Sequence, residues 1–276
     1  MAPVARWAGD AAWRGPLSRI LAEPGVLEAA MSAGAHGAGA HGATARYQDV
    51  LDSLRVSYDG RAAWRDQQEK QPWKLAEREL FLSRVLADGG GRLLEVGAGP
   101  GHDSAFFAGH GLRAVATDLS PAMVGFCRQK GLDAHVMDFL HLDFPAGSFD
   151  AVYALNCLLH VPNADLPGVL AAIRAVLRPG GWLYLGVYGG NGHEGPARDD
   201  RHEPARFFSL RTDEQIQGFA TRYFSLVDFH VIEPGQLHFQ SLTMRRPHAA
   251  PHPVSHAAPH AAPVRPPIQR PIRRPA

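Results

Sequence analysis

A glycine-rich turn that joins an apolar run to a helix-like run constrains the fold of this chain more than any other feature. Arg92 to Val96 is predicted to be a buried strand, followed by the turn Gly97-Ala98-Gly99-Pro100-Gly101 and a helix near His102 to Ala108. Glycines in such a turn let the backbone approach a ligand closely, because no Cβ intervenes. Alone, the turn is a weak indicator of function, since many α/β proteins pack their first unit in this way.

The rest of the chain alternates between β-rich and helical segments. Further strands are predicted at Arg113 to Asp118, Ala134 to Asp138, Phe149 to Asn156 and Trp182 to Tyr188, and a hairpin at Tyr223 to Ile232 and Leu237 to Met244. Helices are predicted at Trp73 to Leu86, from Ser120-Pro121 to Gly131, and at Ala164 to Leu177. This alternation indicates a largely parallel sheet covered by helices.

Composition divides the chain into three parts. Residues 1–44 are rich in Ala and Gly and are predicted to be flexible, with a short helix at Pro16 to Met31 as an alternative. Residues 45–246 are predicted to form one folded domain, and residues 247–276 a disordered tail rich in Pro, His and Arg. No run is apolar enough for a membrane helix or a signal peptide, and only two cysteines occur, so we expect a cytoplasmic protein with both thiols reduced and buried.

Charge argues against a nucleic-acid-binding core. The formal net charge is +1, but six arginines lie beyond Met244 in an acid-free segment, which leaves the body near −5. Any contact with nucleic acid would therefore have to be made by the tail, which is predicted instead to be a solvated extension. Histidines at 248, 252, 256 and 260 repeat every four residues, but the intervening prolines forbid a helix, so no metal site is predicted.

The spacing of the glycines and the residue before them narrow the ligand class. A dinucleotide-binding turn has the pattern G-x-G-x-x-G, whereas here Gly101 comes one position early and His102 follows it. Glu95 lies next to the end of the strand, where its charge would repel a pyrophosphate but would suit an ammonium or a sulfonium. A nicotinamide-dependent oxidoreductase is therefore kept only as an alternative.

The segment from Glu95 to Gly101 resembles the first motif of the class I S-adenosylmethionine-dependent methyltransferases, an acidic residue followed by G-x-G-x-G. The resemblance extends over about Tyr47 to Arg246. It implies a Rossmann-like fold, an open and mostly parallel seven-stranded sheet with flanking helices and an antiparallel last strand. It also implies S-adenosylmethionine as the cofactor.

The resemblance assigns individual residues to that cofactor. Asp118 corresponds to the ribose ligand, Asp138 and Phe139 to the pair at the adenine edge, and Asn156 to the residue beneath the methionine moiety. Tyr58 corresponds to a tyrosine that folds over the cofactor. The whole implied set is Tyr58, Glu95, Gly97, Gly99, Gly101, Asp118, Leu119, Met123, Asp138, Phe139 and Asn156. Several of these have structural alternatives: Glu95 and Asp118 as helix caps, Asp138 as a turn residue, Phe139 as core, and Tyr58-Asp59 as a surface turn.

The methyl acceptor is not specified by the sequence. Asn156 is followed by Cys-Leu-Leu rather than the Pro-Pro-aromatic stretch of family members that methylate base amines or glutamine amides, so a small-molecule acceptor is expected. His160 is the candidate general base, with a packed, hydrogen-bonded histidine as the alternative. Gly189 to Pro204 is predicted to be a lid over the acceptor, or else a disordered surface loop, with the region of Tyr58 and Trp64 as another place for the pocket. A non-enzymatic cofactor-binding scaffold also stays open.

Overall fold

The structure is a computed structural model that describes residues 46–197, 200 and 202–248; the segment 1–44 and nearly all of the tail, both predicted to lack fixed structure, lie outside the described residues. Three helices come first: α1 (Tyr47–Asp59), α2 (Ala62–Asp66) and α3 (Pro72–Ala87). The elements that follow are β1 (Arg92–Val96), α4 (His102–Gly109), β2 (Arg113–Asp118), α5 (Pro121–Gln129), β3 (Asp133–Val136), β4 (Phe149–Leu155), a 3-10 turn (Leu158–His160), α6 (Leu166–Val176), β5 (Leu177–Tyr188), β6 (His193–Pro196), β7 (Phe207–Leu210), α7 (Asp213–Ala220), β8 (Ser225–Ile232) and β9 (Phe239–Arg245).

One seven-stranded sheet forms the centre of the fold, in the order β3-β2-β1-β4-β5-β9-β8. The first five strands run parallel, and β9 is antiparallel to both β5 and β8. The predicted seven-stranded, mostly parallel sheet with an antiparallel last strand is therefore confirmed. Because the carboxyl ends of the parallel strands meet at one edge, residues that end β1, β2 and β4 come together there.

Both faces of the sheet are buried, as the apolar strands predict. Successive side chains of a strand point to opposite faces, so Leu94 of β1 packs into the core with α6 while Leu93 packs with α3 and α4. The predicted start of α5 is also confirmed, since Ser120 Oγ accepts the Met123 N–H 3.1 Å away and Pro121 is the first helical residue. Cys127 and Cys157 are buried free thiols, as expected.

Two predicted strands extend one or two residues too far at their carboxyl ends. The third strand stops at Val136 rather than Asp138, because the Asp138 carboxylate accepts the N–H groups of Leu140 and His141 at 2.7 and 3.1 Å and turns the chain. The fourth stops at Leu155, because Asn156 has a φ of 53° and leaves the extended region.

The segment Gly189 to Pro204, predicted as a lid or a disordered loop, contains a strand that the sequence analysis missed. Strand β6 pairs antiparallel with β7, from His193 opposite Leu210 to Pro196 opposite Phe207. The N–H groups of Gly190 and Gly192 also donate to Arg211 O and Leu210 O, each at 2.7 Å. The disordered-loop alternative is therefore wrong for residues 193–196.

No helix among the residues that the structure describes is long and apolar enough to cross a membrane.

Candidate functional site

A cavity of about 270 Å³ lies at the carboxyl ends of β1, β2 and β4, near the lower end of the range for small-molecule sites. Helices α1 and α2 and the connection from α2 to α3 cover it, and β7 and the connection from β8 to β9 close one side. Ten of the twelve predicted site residues line this cavity: Tyr58, Glu95, Gly97, Gly99, Asp118, Leu119, Met123, Phe139, Asn156 and His160. Gly101 and Asp138 do not line it.

The three glycines of the turn have different surroundings, although all have positive φ angles. A Cβ at Gly97 would lie 2.4 Å from the Cβ of Cys157, and one at Gly101 would lie 2.8 Å from Cys127 Sγ. A Cβ at Gly99 would meet nothing within 4 Å. Gly97 and Gly101 are therefore needed for packing inside the protein, while Gly99 leaves open space on the cavity side.

This contrast predicts a difference in stability between two matched variants. Gly97→Ala and Gly99→Ala both place alanine at a positive φ, which costs each about 1–2 kcal/mol. Only Gly97→Ala also forces its Cβ against Cys157, so we expect it to lower the free energy of unfolding by about 1–3 kcal/mol more than Gly99→Ala does. Urea unfolding of both variants measures the difference, and equal losses would contradict the packing role of Gly97.

Asp118 is the last residue of β2 and fixes the glycine turn. Its Oδ2 accepts the Gly99 N–H at 2.8 Å and its Oδ1 accepts the Ser120 N–H at 2.9 Å. Burial raises the pKa of this carboxyl, although the two N–H groups act in the opposite direction. Each ionised oxygen has a further lone pair, so the side chain can accept additional hydrogen bonds from a ligand in the cavity.

Glu95 is the last but one residue of β1 and is 3% exposed. Its Oε2 accepts the Ser104 hydroxyl at 2.5 Å. Burial and the nearby charge of Asp103 raise the pKa of the Glu95 carboxyl. Asp103 itself is ion-paired with Lys70 and Arg78 at 2.8 and 2.9 Å. The cavity wall therefore holds a buried carboxyl whose ionised form a cationic ligand would stabilise.

Asn156 follows β4 with its backbone in the left-handed region. Its N–H donates to Gly186 O at 2.7 Å, which holds the residue in place. Its side-chain Oδ1 is buried and has no hydrogen-bond partner among the described residues. A buried amide oxygen normally has a donor, so this atom is suited to a ligand with N–H or O–H groups.

Tyr58 and His160 meet across the cavity. The Tyr58 hydroxyl lies 2.5 Å from Nε2 of His160, and Nδ1 of His160 lies 2.7 Å from Phe207 O. Burial, with Arg206 nearby, lowers the pKa of His160 to about 3. Tyr58 and Asp59 belong to α1, and Asp59 Oδ1 accepts the Ala122 N–H at 3.1 Å, so the surface-turn alternative for this pair is wrong.

Several cavity residues were not predicted. Arg206, which precedes β7, and Phe208 of β7 line the cavity. Arg65 of α2, Lys70 of the connection from α2 to α3, and Lys74 of α3 line it as well. Arg206 is buried and held by Asp200, whose carboxylate receives Nε and Nη2 of Arg206 at 2.9 and 3.1 Å. The sequence spacing of Asp200 and Arg206 gives no indication that the two side chains pair, so only the structure reveals this ion pair.

Comparison with known proteins places this site in context. Residues 93–181 match the family described as "Methyltransferase domain". A ubiquinone biosynthesis O-methyltransferase of Xanthomonas axonopodis pv. citri is 35% identical over 112 residues, which are 38% of this chain and 46% of that protein. The chain thus matches about half the length of this curated relative.

Two solved structures share the fold. One is a Burkholderia thailandensis 1,6-didemethyltoxoflavin-N1-methyltransferase with bound 1,6-didemethyltoxoflavin and S-adenosylhomocysteine, with a TM-score of 0.58 and 24% identity over 77% of this chain and 98% of that one. The other is the N-methyltransferase NodS of Bradyrhizobium japonicum in complex with S-adenosylhomocysteine, with a TM-score of 0.54 and 19% identity over 71% and 100% of the two chains. At these identities the likeness shows the fold alone.

Proposed function

Because residues 93–181 match a methyltransferase domain, we propose that this chain is a class I methyltransferase that transfers a methyl group from S-adenosylmethionine to a small-molecule acceptor. One observation carries the proposal: a single cavity joins Glu95, Asp118 and the unpartnered Asn156 Oδ1 to the open side of Gly99. The relative named for ubiquinone biosynthesis and the structure with bound 1,6-didemethyltoxoflavin support an acceptor of small size.

The residues of the cavity fit the proposed cofactor along its length. Glu95 and the Asn156 Oδ1 offer two acceptor groups to an ammonium, which suits the methionine end. Asp118 offers carboxylate lone pairs to ribose hydroxyls, and the missing Cβ of Gly99 leaves room beside them. Leu119, Met123 and Phe139 supply apolar surface for the adenine.

When bound, S-adenosylmethionine supplies a methyl group on a sulfonium whose leaving group is a neutral thioether. The task of the chain is therefore to align the acceptor behind the methyl group and to keep water out. The helical cover formed by α1, α2 and the connection to α3 lies over the cavity and serves both purposes. His160 is engaged by Tyr58 and Phe207 on its two ring nitrogens, which favours a packed histidine over a freely acting general base.

The test is formation of S-adenosylhomocysteine when the full chain is incubated with S-adenosylmethionine and a small-molecule metabolite extract. We expect a product signal that depends on the extract, together with binding of S-adenosylhomocysteine by calorimetry. Fluorescence titration with a reduced nicotinamide tests the alternative oxidoreductase, which the match to a methyltransferase domain disfavours. Cofactor binding without turnover would instead favour a non-enzymatic scaffold, and absence of both binding and turnover would overturn the proposal.

Because the sequence has no run apolar enough for a membrane helix or a signal peptide and only two cysteines, we also propose a cytoplasmic location.

Glu95 gives this proposal a dependence on pH. In the free protein its pKa is raised, so part of the population holds a neutral carboxyl near neutral pH, and a bound ammonium favours the ionised form. We therefore expect S-adenosylmethionine binding to release protons and to tighten as pH rises from 6 to 8. Calorimetry in buffers of different ionisation enthalpy measures the release, and Glu95→Gln should abolish it. Proton release that persists in the variant would contradict the role of Glu95.

A further inference from the structure

A chain of hydrogen bonds with a fixed direction crosses the side of the cavity away from the glycine turn. Nδ1 of His160 lies 2.7 Å from Phe207 O, and a carbonyl oxygen only accepts, so Nδ1 carries a proton. In a neutral imidazole Nε2 is then unprotonated. The Tyr58 hydroxyl, 2.5 Å from Nε2, must therefore donate its single proton to it.

The surroundings keep His160 neutral. The ring is 5% exposed, and the charged groups that act on it are the guanidinium groups of Arg206 and Arg65 and the carboxylate of Asp200. Asp200 receives hydrogen bonds from His202 and Arg206 instead of from His160. Burial and the two cations therefore outweigh the one carboxylate, and the imidazole is not protonated near neutral pH.

With its proton directed to His160, the Tyr58 oxygen has only lone pairs left for a ligand. The guanidinium carbons of Arg65 and Arg206 lie 4.9 and 5.7 Å from the Tyr58 ring centroid, within the range of cation–π contacts. Apolar and aromatic side chains also line the cavity, among them Leu155, Leu159, Tyr188, Phe208 and Leu237. This part of the site thus combines an oxygen that only accepts with surface suited to a planar, apolar body.

We propose that the acceptor site selects a molecule with an apolar, planar body and a hydrogen-bond donor, a phenol hydroxyl or a ring N–H, and that the Tyr58 oxygen accepts the hydrogen bond from this donor. The inference rests on the proposed function, because it names the acceptor class of the same cavity. Tyr58 then determines specificity by contact with the acceptor, and His160 is a positioning residue that acts through Tyr58. A ligand without a donor would leave the Tyr58 oxygen without a partner and would bind more weakly.

The test uses size-matched probes on the full chain saturated with S-adenosylhomocysteine. The pairs are catechol and 1,2-difluorobenzene, 4-hydroxybenzoate and 4-fluorobenzoate, and indole and benzofuran; in each pair only the first member donates a hydrogen bond. Ligand-observed NMR titration gives their dissociation constants. We expect the donor member to bind at least about fivefold more tightly, as one hydrogen bond allows.

Two variants show whether Tyr58 causes the preference. Tyr58→Phe keeps the ring and removes only the hydroxyl, so the preference for the donor member of each pair should fall to about one. Tyr223→Phe, a tyrosine that does not line the cavity, should keep the preference unchanged. A long-range proton–nitrogen NMR spectrum should also show Nδ1 of His160 protonated and Nε2 unprotonated.

The outcomes separate this inference from the proposed function. Failure of the wild-type chain to bind S-adenosylhomocysteine would overturn both. If that binding is intact, equal affinity within the pairs, absence of binding by every probe, a preference that survives in Tyr58→Phe, or a protonated Nε2 would each overturn the acceptor class alone. A preference lost in Tyr58→Phe and kept in Tyr223→Phe supports it.

Discussion

Replacement of Asp200 by alanine is expected to lower the free energy of unfolding by about 3–5 kcal/mol, the range for removal of one partner of a buried ion pair. The Asp200 side chain is fully buried and accepts both Nε and Nη2 of Arg206, the Arg206 N–H at 2.8 Å, and Nδ1 of His202 at 3.0 Å. Alanine would remove a bidentate carboxylate from Arg206, a residue that is itself 4% exposed.

Urea unfolding of the ligand-free chain measures this loss. A matched control is Asp52→Ala, because Asp52 also accepts from an arginine, Arg55 at 3.1 Å, but its side chain is 92% exposed. Surface pairs of this kind contribute about 0–1 kcal/mol, so the control should change little. A loss below about 1 kcal/mol for Asp200→Ala would show that the buried pair contributes no more than the exposed one.

The contribution of Asp200 should also depend on pH in a defined direction. Burial raises the pKa of this carboxyl, but hydrogen bonds from His202 and Arg206 more than compensate, so its pKa in the folded chain is lowered. A lowered pKa stabilises the fold above the unfolded value of about 3.9 and loses that effect as pH falls toward the folded value. The difference between the wild type and Asp200→Asn should therefore be constant near neutral pH and shrink below about pH 4.

The sheet could be predicted because its signals are local. Each parallel strand is a short apolar run followed by turn and capping residues such as Ser120-Pro121, and these act within a few positions of the sequence. Glu95 and Asp118 could be predicted for the same reason, since they stand at or next to the ends of consecutive parallel strands. Strand topology then brings them to one edge.

Strand β6 and the burial of Arg211 could not be predicted, because both depend on contacts distant in sequence. Strand β6 reads His-Glu-Gly-Pro, which has no β-strand pattern, and it forms by pairing with β7. Arg211 resembles a surface cation in the sequence, yet it is 2% exposed and donates to Leu158 O, Val161 O and Asn163 Oδ1. Burial of a charged residue is decided by partners that no local pattern reveals.

Replacement of Asp118 is expected to have the largest effect on cofactor binding. If its carboxylate accepts ribose hydroxyls, removal of a charge-assisted contact costs about 1.5–3 kcal/mol, which is about a 10- to 150-fold loss of S-adenosylmethionine affinity. The structure adds a second cause, since alanine would also release the Gly99 and Ser120 N–H groups that the carboxylate holds. Asp118→Asn keeps one oxygen, so it should weaken binding less than Asp118→Ala does.

Asp138→Asn is the informative control for the Asp118 variants. The sequence resemblance places Asp138 at the adenine edge, but in the structure its carboxylate accepts Leu140 and His141 N–H groups and does not line the cavity. We therefore expect calorimetry to give Asp138→Asn an affinity within about twofold of wild type, against at least a tenfold loss for Asp118→Ala. Unchanged affinity in Asp118→Ala would exclude the ribose assignment. An equal loss in Asp138→Asn would show that Asp138 contributes to cofactor binding, by direct contact or through the turn that carries Phe139.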